Sequence, residues 1–152
     1  MSALSVYKKC LDKGLTIAFA ESMTGGACCY EMIKNPGASK VVQGGMIVYQ
    51  NELKSSWLSV DPAIILSHGV VSPAVANHMA KQIANLTKAS IGIGITGNAG
   101  PTIQDGTKLE AFISIIYQEK THTIHLVFED LNREEAILFT CDTVYQKLDE
   151  LI

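Results

Sequence analysis

Apolar and polar positions alternate in blocks along the chain, and the blocks predict helices that alternate with buried strands. Residues 2–13 and 72–88 repeat apolar side chains at helical spacing, with charged and amide side chains between them. The nearly continuous apolar run at 15–20 is typical of a strand covered on both faces. Residues 41–50, with a Gly-Gly kink, and residues 90–96 are further predicted strands. The first two thirds of the chain therefore indicate a layered α/β arrangement.

The remaining blocks predict shorter helices and a hairpin. Residues 111–117 and 121–130 are strand-like runs on either side of a short polar stretch, and residues 133–152 form a closing helix. Because a hairpin adds antiparallel strands, the pattern predicts an α/β sandwich with a mixed sheet. Short helices are expected at 24–34, 51–58 and 61–69, and Asp61 and Ser72 are predicted N-caps that precede prolines.

Composition narrows the class of protein. The chain has 152 residues, enough for one domain, and its formal charge of −3 comes without a basic cluster, which argues against nucleic acid as a partner. Its apolar runs are shorter than the roughly 18–20 residues that span a bilayer, and the N-terminus lacks an apolar signal core. We therefore expect a cytoplasmic protein that does not bind membranes.

The four cysteines form no CxxC pair, so free thiols are expected rather than zinc ligands or disulfides.

Two loops place hydroxyl side chains beside glycines at the carboxyl ends of predicted strands, where open α/β sheets bind ligands. They read ESMTGG at 21–26 and TGNAGP at 96–101. In the first loop, Ser22 or Thr24 could simply cap the next helix. Two glycines in that helix's first turn would cost roughly 0.5–1 kcal/mol each relative to alanine, and an anion on the helix N-terminus would explain the cost. The second loop also fits a tight turn closed by Pro101.

A serine nucleophile needs a base, and the candidates are histidine and lysine. None of the four histidines, at 68, 78, 122 and 125, forms a Ser-His-Asp pattern or a metal-ligand spacing. Lys54 follows the strand-like run 41–50 by four residues, which makes it the alternative base. The competing interpretation of Lys54 is a solvated helix lysine.

Four motifs in order carry a family resemblance: AESMTGG (20–26), VYQNELK (48–54), HGVVS (68–72) and ITGNAGP (95–101). Together they resemble the CinA C-terminal domain family, whose characterised members are nicotinamide-nucleotide amidohydrolases, over roughly residues 3–149. The resemblance implies a three-layer α/β/α sandwich with a mixed, mostly parallel sheet, as a single stand-alone domain at 1–152. It also implies hydrolysis of the carboxamide of nicotinamide mononucleotide, a pyridine nucleotide as the small-molecule partner, and neither a metal nor an organic cofactor.

The resemblance also implies roles for individual residues. Ser22 corresponds to the family's serine nucleophile, Lys54 to its lysine and Thr96 to its loop threonine. Backbone N–H groups near Gly25, Gly26 and Gly97 are expected to hold the oxyanion or the 5′-phosphate. The side chains expected to position groups around them are those of Thr24, Tyr49 and Asn51, and Glu21 is expected either to orient Lys54 or to cap the helix.

The sequence departs from the family pattern outside these motifs. Glu110 and Ala111 stand where glycine and threonine are usual, and Arg133 is kept but lies among leucines. An inward-pointing Glu110 would repel a phosphate. A second hypothesis is therefore a nucleotide-binding or protein-interaction module that has lost turnover, which an assay of ammonia release separates from the amidohydrolase. The resemblance and an unpaired Phe139 on the closing helix predict a homo-oligomer, most simply a dimer.

Overall fold

The helices and strands follow the predicted blocks closely. The computed structural model describes residues 2–152; Met1, the first residue of the expected domain, lies outside the described residues. The described elements are α1 (Ser2–Lys13), β1 (Ile17–Glu21), α2 (Ala27–Ile33), β2 (Val42–Ile47), α3 (Asn51–Ser56), α4 (Pro62–His68), α5 (Pro73–Thr87), β3 (Ile91–Gly97), β4 (Glu110–Tyr117), β5 (Lys120–Val127) and α6 (Arg133–Leu151). The predicted caps of α4 and α5 are confirmed, because the Asp61 and Ser72 side chains accept hydrogen bonds from the N–H groups of Ala63 and Val75.

The sheet is mixed, as predicted, with strand order β2-β1-β3-β4-β5. Strand β1 pairs in parallel with β2 and β3, whereas β4 is antiparallel to both β3 and β5. Strand β4 therefore runs in the opposite direction to the other four strands, which are parallel to one another. Two of the four pairings are parallel and two are antiparallel. Because β2, β1 and β3 are neighbouring parallel strands, the loops that follow them lie side by side at one edge of the sheet.

Helices cover both faces of the sheet, which gives the three layers. Helices α1, α2 and α6 pack on the face that carries Phe19, Ile93 and Ile113. On the other face, α5 packs with α3 and α4 against a smaller cluster. Gly92 and Gly94 allow α5 to lie directly on β3, since a Cβ atom at these positions would come within 2.4 and 2.3 Å of carbonyl oxygens of α5.

No helix among residues 2–152 is long and apolar enough to cross a membrane. All four cysteines are free; Cys10, Cys28 and Cys141 are buried, and Cys29 is partly exposed. The α2 helix begins at Ala27, three residues later than the pattern at 24–34 predicts. That difference changes the interpretation of the first glycine-containing loop.

Candidate active site

Ser22 and Lys54 lie together at the edge of the sheet. Ser22 directly follows β1, and Lys54 lies in α3, the short helix that follows β2. Parallel pairing of the two strands brings their carboxyl ends together, so that the Lys54 Nζ atom is 3.0 Å from the Ser22 Oγ atom. Both residues are buried, with exposed fractions of 1% for Lys54 and 6% for Ser22. Ser22 and Lys54, predicted as nucleophile and base, are thus in direct contact in the folded chain.

The environment of Lys54 favours its neutral amine. Burial lowers the pKa of Lys54 from 10.5 to about 8. Its other two partners are backbone carbonyl oxygens, those of Val48 at 2.9 Å and Tyr49 at 3.2 Å. A neutral amine has two N–H groups and one lone pair. If the two carbonyls take the two N–H groups, the lone pair is left facing the Ser22 hydroxyl.

Glu21 caps α2 from inside the preceding strand. Its carboxylate accepts hydrogen bonds from the backbone N–H groups of Gly26, Cys28 and Cys29 at 3.2, 3.0 and 2.9 Å. Of the two roles expected for Glu21, the structure shows the helix cap. Neither Ser22 nor Thr24 caps this helix, and its positive N-terminus is occupied by a carboxylate of the chain itself.

Gly25 and Gly26 precede α2 rather than forming its first turn. Their φ angles are +58° and +96°, the left-handed region that glycine adopts without strain. The predicted cost of glycine inside the helix therefore does not arise, and backbone geometry explains the pair. The Gly25 N–H donates to the Ser22 carbonyl oxygen at 3.1 Å and the Gly26 N–H to Glu21. Both N–H groups expected to hold an anion here already have acceptors within the chain.

A cavity of about 330 Å³ opens beside Ser22, a volume in the range of small-molecule sites. Three predicted residues line it: Ser22, Tyr49 and Gly97. Six further residues complete the wall: Met23, Asn98, Ala99, Thr102, Gln104 and Arg133. The wall contains one cationic side chain and no acidic one, which favours an anionic ligand.

Arg133 is the charged residue among the six lining residues for which the sequence predicted no role. It is the first residue of α6, which Asn132 and Glu135 cap reciprocally. Its guanidinium donates to the Gly100 carbonyl oxygen at 2.7 Å and to the Tyr49 hydroxyl at 3.0 Å. Both partners are neutral, so the positive charge at the cavity is not neutralised by them. The retained arginine after Asn132 was the only sequence signal for this position.

Other predicted residues lie outside the cavity wall. The Thr96 hydroxyl is buried and donates to the Val70 carbonyl oxygen at 2.8 Å. Asn51 is exposed at the start of α3. The Thr24 hydroxyl oxygen is buried and has no hydrogen-bond partner among residues 2–152. The Glu110 carboxylate contacts the His125 Nε2 atom at 2.7 Å and does not line the cavity.

The nearby thiol and carboxylate groups do not offer a competing centre. Burial, and then the charge of Glu21, raises the pKa of the Cys29 thiol to about 11, so this cysteine is protonated near pH 7. Within the described part of the chain, no three His, Cys, Asp or Glu side chains are grouped so that they could hold a metal ion. Among these groups, the Ser22 hydroxyl and the Lys54 amine are the candidate nucleophile and base that are in contact.

Several known proteins with similar sequences are named as putative competence-damage inducible proteins. The chain is 37% identical over 145 residues to a putative competence-damage inducible protein of Lysinibacillus sphaericus, covering 92% of this chain and 35% of that protein. It is 46% identical over 96 residues to the protein of the same name from Listeria monocytogenes serotype 4a, covering 63% of this chain and 23% of that one. The chain thus spans about a third or less of these curated relatives.

Solved structures agree with the fold. Competence damage-inducible protein A from Klebsiella pneumoniae superposes with a TM-score of 0.94 at 24% identity, covering 98% of this chain and 93% of that one. The competence/damage inducible protein CihA from Agrobacterium tumefaciens gives a TM-score of 0.91 at 26% identity, with 99% and 93% covered. The sequence pattern of the CinA C-terminal domain matches residues 2–152. The chain belongs to the CinA C-terminal domain family.

Proposed function

We propose that this protein hydrolyses the carboxamide of nicotinamide mononucleotide to nicotinate mononucleotide and ammonia, with Ser22 as nucleophile and Lys54 as base. The observation that carries the proposal is the contact of 3.0 Å between a buried Lys54 amine and the Ser22 hydroxyl at the wall of a cavity. Lys54 is buried, and among residues 2–152 its hydrogen-bond partners include no carboxylate. With a pKa of about 8, it is suited to general-base catalysis near neutral pH.

The reaction proceeds by acyl transfer through Ser22. The Ser22 oxygen bonds to the amide carbon as its proton moves to Lys54. The C–N bond then breaks, and Lys54 returns that proton to the departing nitrogen, which leaves as ammonia. Water next attacks the acyl-serine ester while Lys54 accepts its proton. The ester C–O bond then breaks, Lys54 returns that proton to the Ser22 oxygen, and nicotinate mononucleotide leaves.

The oxyanion that forms during each attack requires hydrogen-bond donors beside Ser22. The N–H groups of Gly25 and Gly26 are engaged within the chain. We assign the role of oxyanion donor to the backbone N–H of Met23, because Met23 follows the nucleophile and lines the cavity. The residue after the nucleophile supplies the same donor in other serine hydrolases.

Arg133 is suited to bind the 5′-phosphate. It is the cationic side chain of the cavity wall, and a guanidinium forms strong, charge-assisted hydrogen bonds to phosphate oxygens. The Tyr49 hydroxyl and the Gly100 carbonyl hold the guanidinium in place from two sides.

Two further proposals accompany this assignment: a cytoplasmic location, which suits four free thiols, and a homo-oligomeric assembly.

The test is ammonia release from nicotinamide mononucleotide by the purified protein and by Ser22→Ala. We expect the substitution to reduce turnover about 10³-fold or more while circular dichroism stays unchanged. Ser67→Ala, a change on the exposed side of α4, is the matched control and should leave turnover intact. Near-normal turnover by folded Ser22→Ala would contradict the mechanism. Binding of the nucleotide by wild type without ammonia release would instead support the module that has lost turnover.

A further inference from the structure

One buried amide side chain organises the polar loop at the cavity. Asn98 follows β3, lines the cavity and is 3% exposed. Its Nδ2 atom donates to the carbonyl oxygens of Asp105 at 2.7 Å and Lys108 at 3.2 Å. Its Oδ1 atom accepts from the backbone N–H of Gln104 at 3.1 Å. A single side chain thus fixes three residues of the loop through their backbone.

The same loop has a second anchor on the segment before α5. The Asp105 carboxylate accepts a hydrogen bond from the Val71 N–H at 3.0 Å. The loop comes so close that a Cβ atom at Gly69 would lie 2.6 Å from the Asp105 Oδ2 atom. The carbonyl of Val70 is in turn held by Thr96. The HGVVS motif therefore supports the loop through Asp105, in addition to the contacts of Asn98.

The loop needs these anchors because little else orders it. Residues 102–108 contain no helix or strand and are mostly exposed. Backbone without regular structure is positioned by its side-chain anchors. Two of its residues, Thr102 and Gln104, line the cavity with neutral hydrogen-bonding groups.

We propose that Asn98 is a positioning residue that holds Gln104 at the cavity, and that Gln104 determines specificity by binding a neutral, hydrogen-bonding part of the substrate. An amide side chain offers both donors and an acceptor, so it pairs with hydroxyl or amide groups, whereas Arg133 is the group for the anionic end. This inference rests on the proposed function only for the identity of the ligand, nicotinamide mononucleotide.

The first experiment does not depend on any ligand. Asn98→Asp keeps the size of the side chain but replaces its two N–H donors by an oxygen that faces two carbonyl oxygens. Amide hydrogen exchange should become faster at 104–108 and stay unchanged in α5 and β3. Asn85→Asp, on the exposed side of α5, is the control and should exchange as wild type does. Wild-type exchange at 104–108 in Asn98→Asp would overturn the positioning role. Should this variant fail to fold, Asn98→Ser, whose side chain is too short to reach the loop, replaces it.

The second experiment is a double-mutant cycle on Kd and kcat for nicotinamide mononucleotide. Asn98→Ser, which adds no charge to the cavity wall, and Gln104→Ala should each raise Kd about tenfold, the effect of one lost hydrogen bond, with kcat within about threefold of wild type. Because Asn98 acts through Gln104, the double variant should bind about as weakly as each single one. A hundredfold rise in Kd for the double variant, or an unchanged Kd for Gln104→Ala, would overturn the proposal. Wild type that releases no ammonia refutes the proposed function, and the exchange experiment still decides the role of Asn98.

Discussion

Protonation of Lys54 should control the rate of the proposed reaction. Burial lowers the pKa of Lys54 from 10.5 to about 8, and only its neutral form can accept the Ser22 proton. The logarithm of kcat/KM should therefore rise with unit slope below pH 8 and level off above it. At pH 6 the neutral fraction is about 1%, so the rate should be about one hundredth of its plateau.

Lys54→Arg should remove both the rate and its rise near pH 8, because a guanidinium stays protonated throughout this range. Lys81→Arg, an exposed lysine of α5, is the matched control and should keep the wild-type profile. The assay is ammonia release from nicotinamide mononucleotide between pH 6 and pH 10. A wild-type profile that is flat, or that rises only near pH 10.5, would refute the assignment of Lys54 as the base.

The same pKa predicts how stability depends on pH. Because the pKa of Lys54 is lower in the folded state, the unfolded chain binds more protons between pH 8 and 10.5, and the free energy of unfolding rises with pH there. The interval corresponds to about 3 kcal/mol, a cost that is fully present below pH 8. As the pH rises across this interval, wild type should gain stability relative to Lys54→Met, measured by urea unfolding. A pH-independent difference would contradict the lowered pKa.

Three further predictions follow from particular contacts. Glu21→Gln should lower the free energy of unfolding by about 1 kcal/mol, measured in urea, because it weakens the cap of α2; an unchanged midpoint would contradict the role of the carboxylate. Glu110→Gln should leave the Kd for nicotinamide mononucleotide unchanged, since the carboxylate contacts His125 outside the cavity wall, and tighter binding would place it near the phosphate. Phe139, 45% exposed on α6, is proposed to lie in an oligomer interface, so Phe139→Glu should lower the mass measured by light scattering; a monomeric wild type would contradict the assembly.

Local periodicity and local capping were sufficient to predict most of the secondary structure. The apolar stripe of α5 and its Ser72-Pro73 start are encoded within one stretch of sequence, and so is the continuous run that becomes β3. The order of the four motifs is also sufficient to identify the family from the sequence. These features could be predicted because each depends on side chains that are near one another in the chain.

The partners of the site residues, in contrast, were decided by the tertiary structure. Ser22 and Lys54 are 32 residues apart and meet because β1 and β2 pair in parallel, and burial in that contact is what lowers the pKa of Lys54. Arg133 reaches Tyr49 across 84 residues because α6 begins beside the same edge of the sheet. The sequence shows that a carboxylate ends β1, but only packing determines that Glu21 turns towards the N–H groups of α2. A side chain's partner across elements depends on the path of the whole chain, and residue spacing does not encode that path.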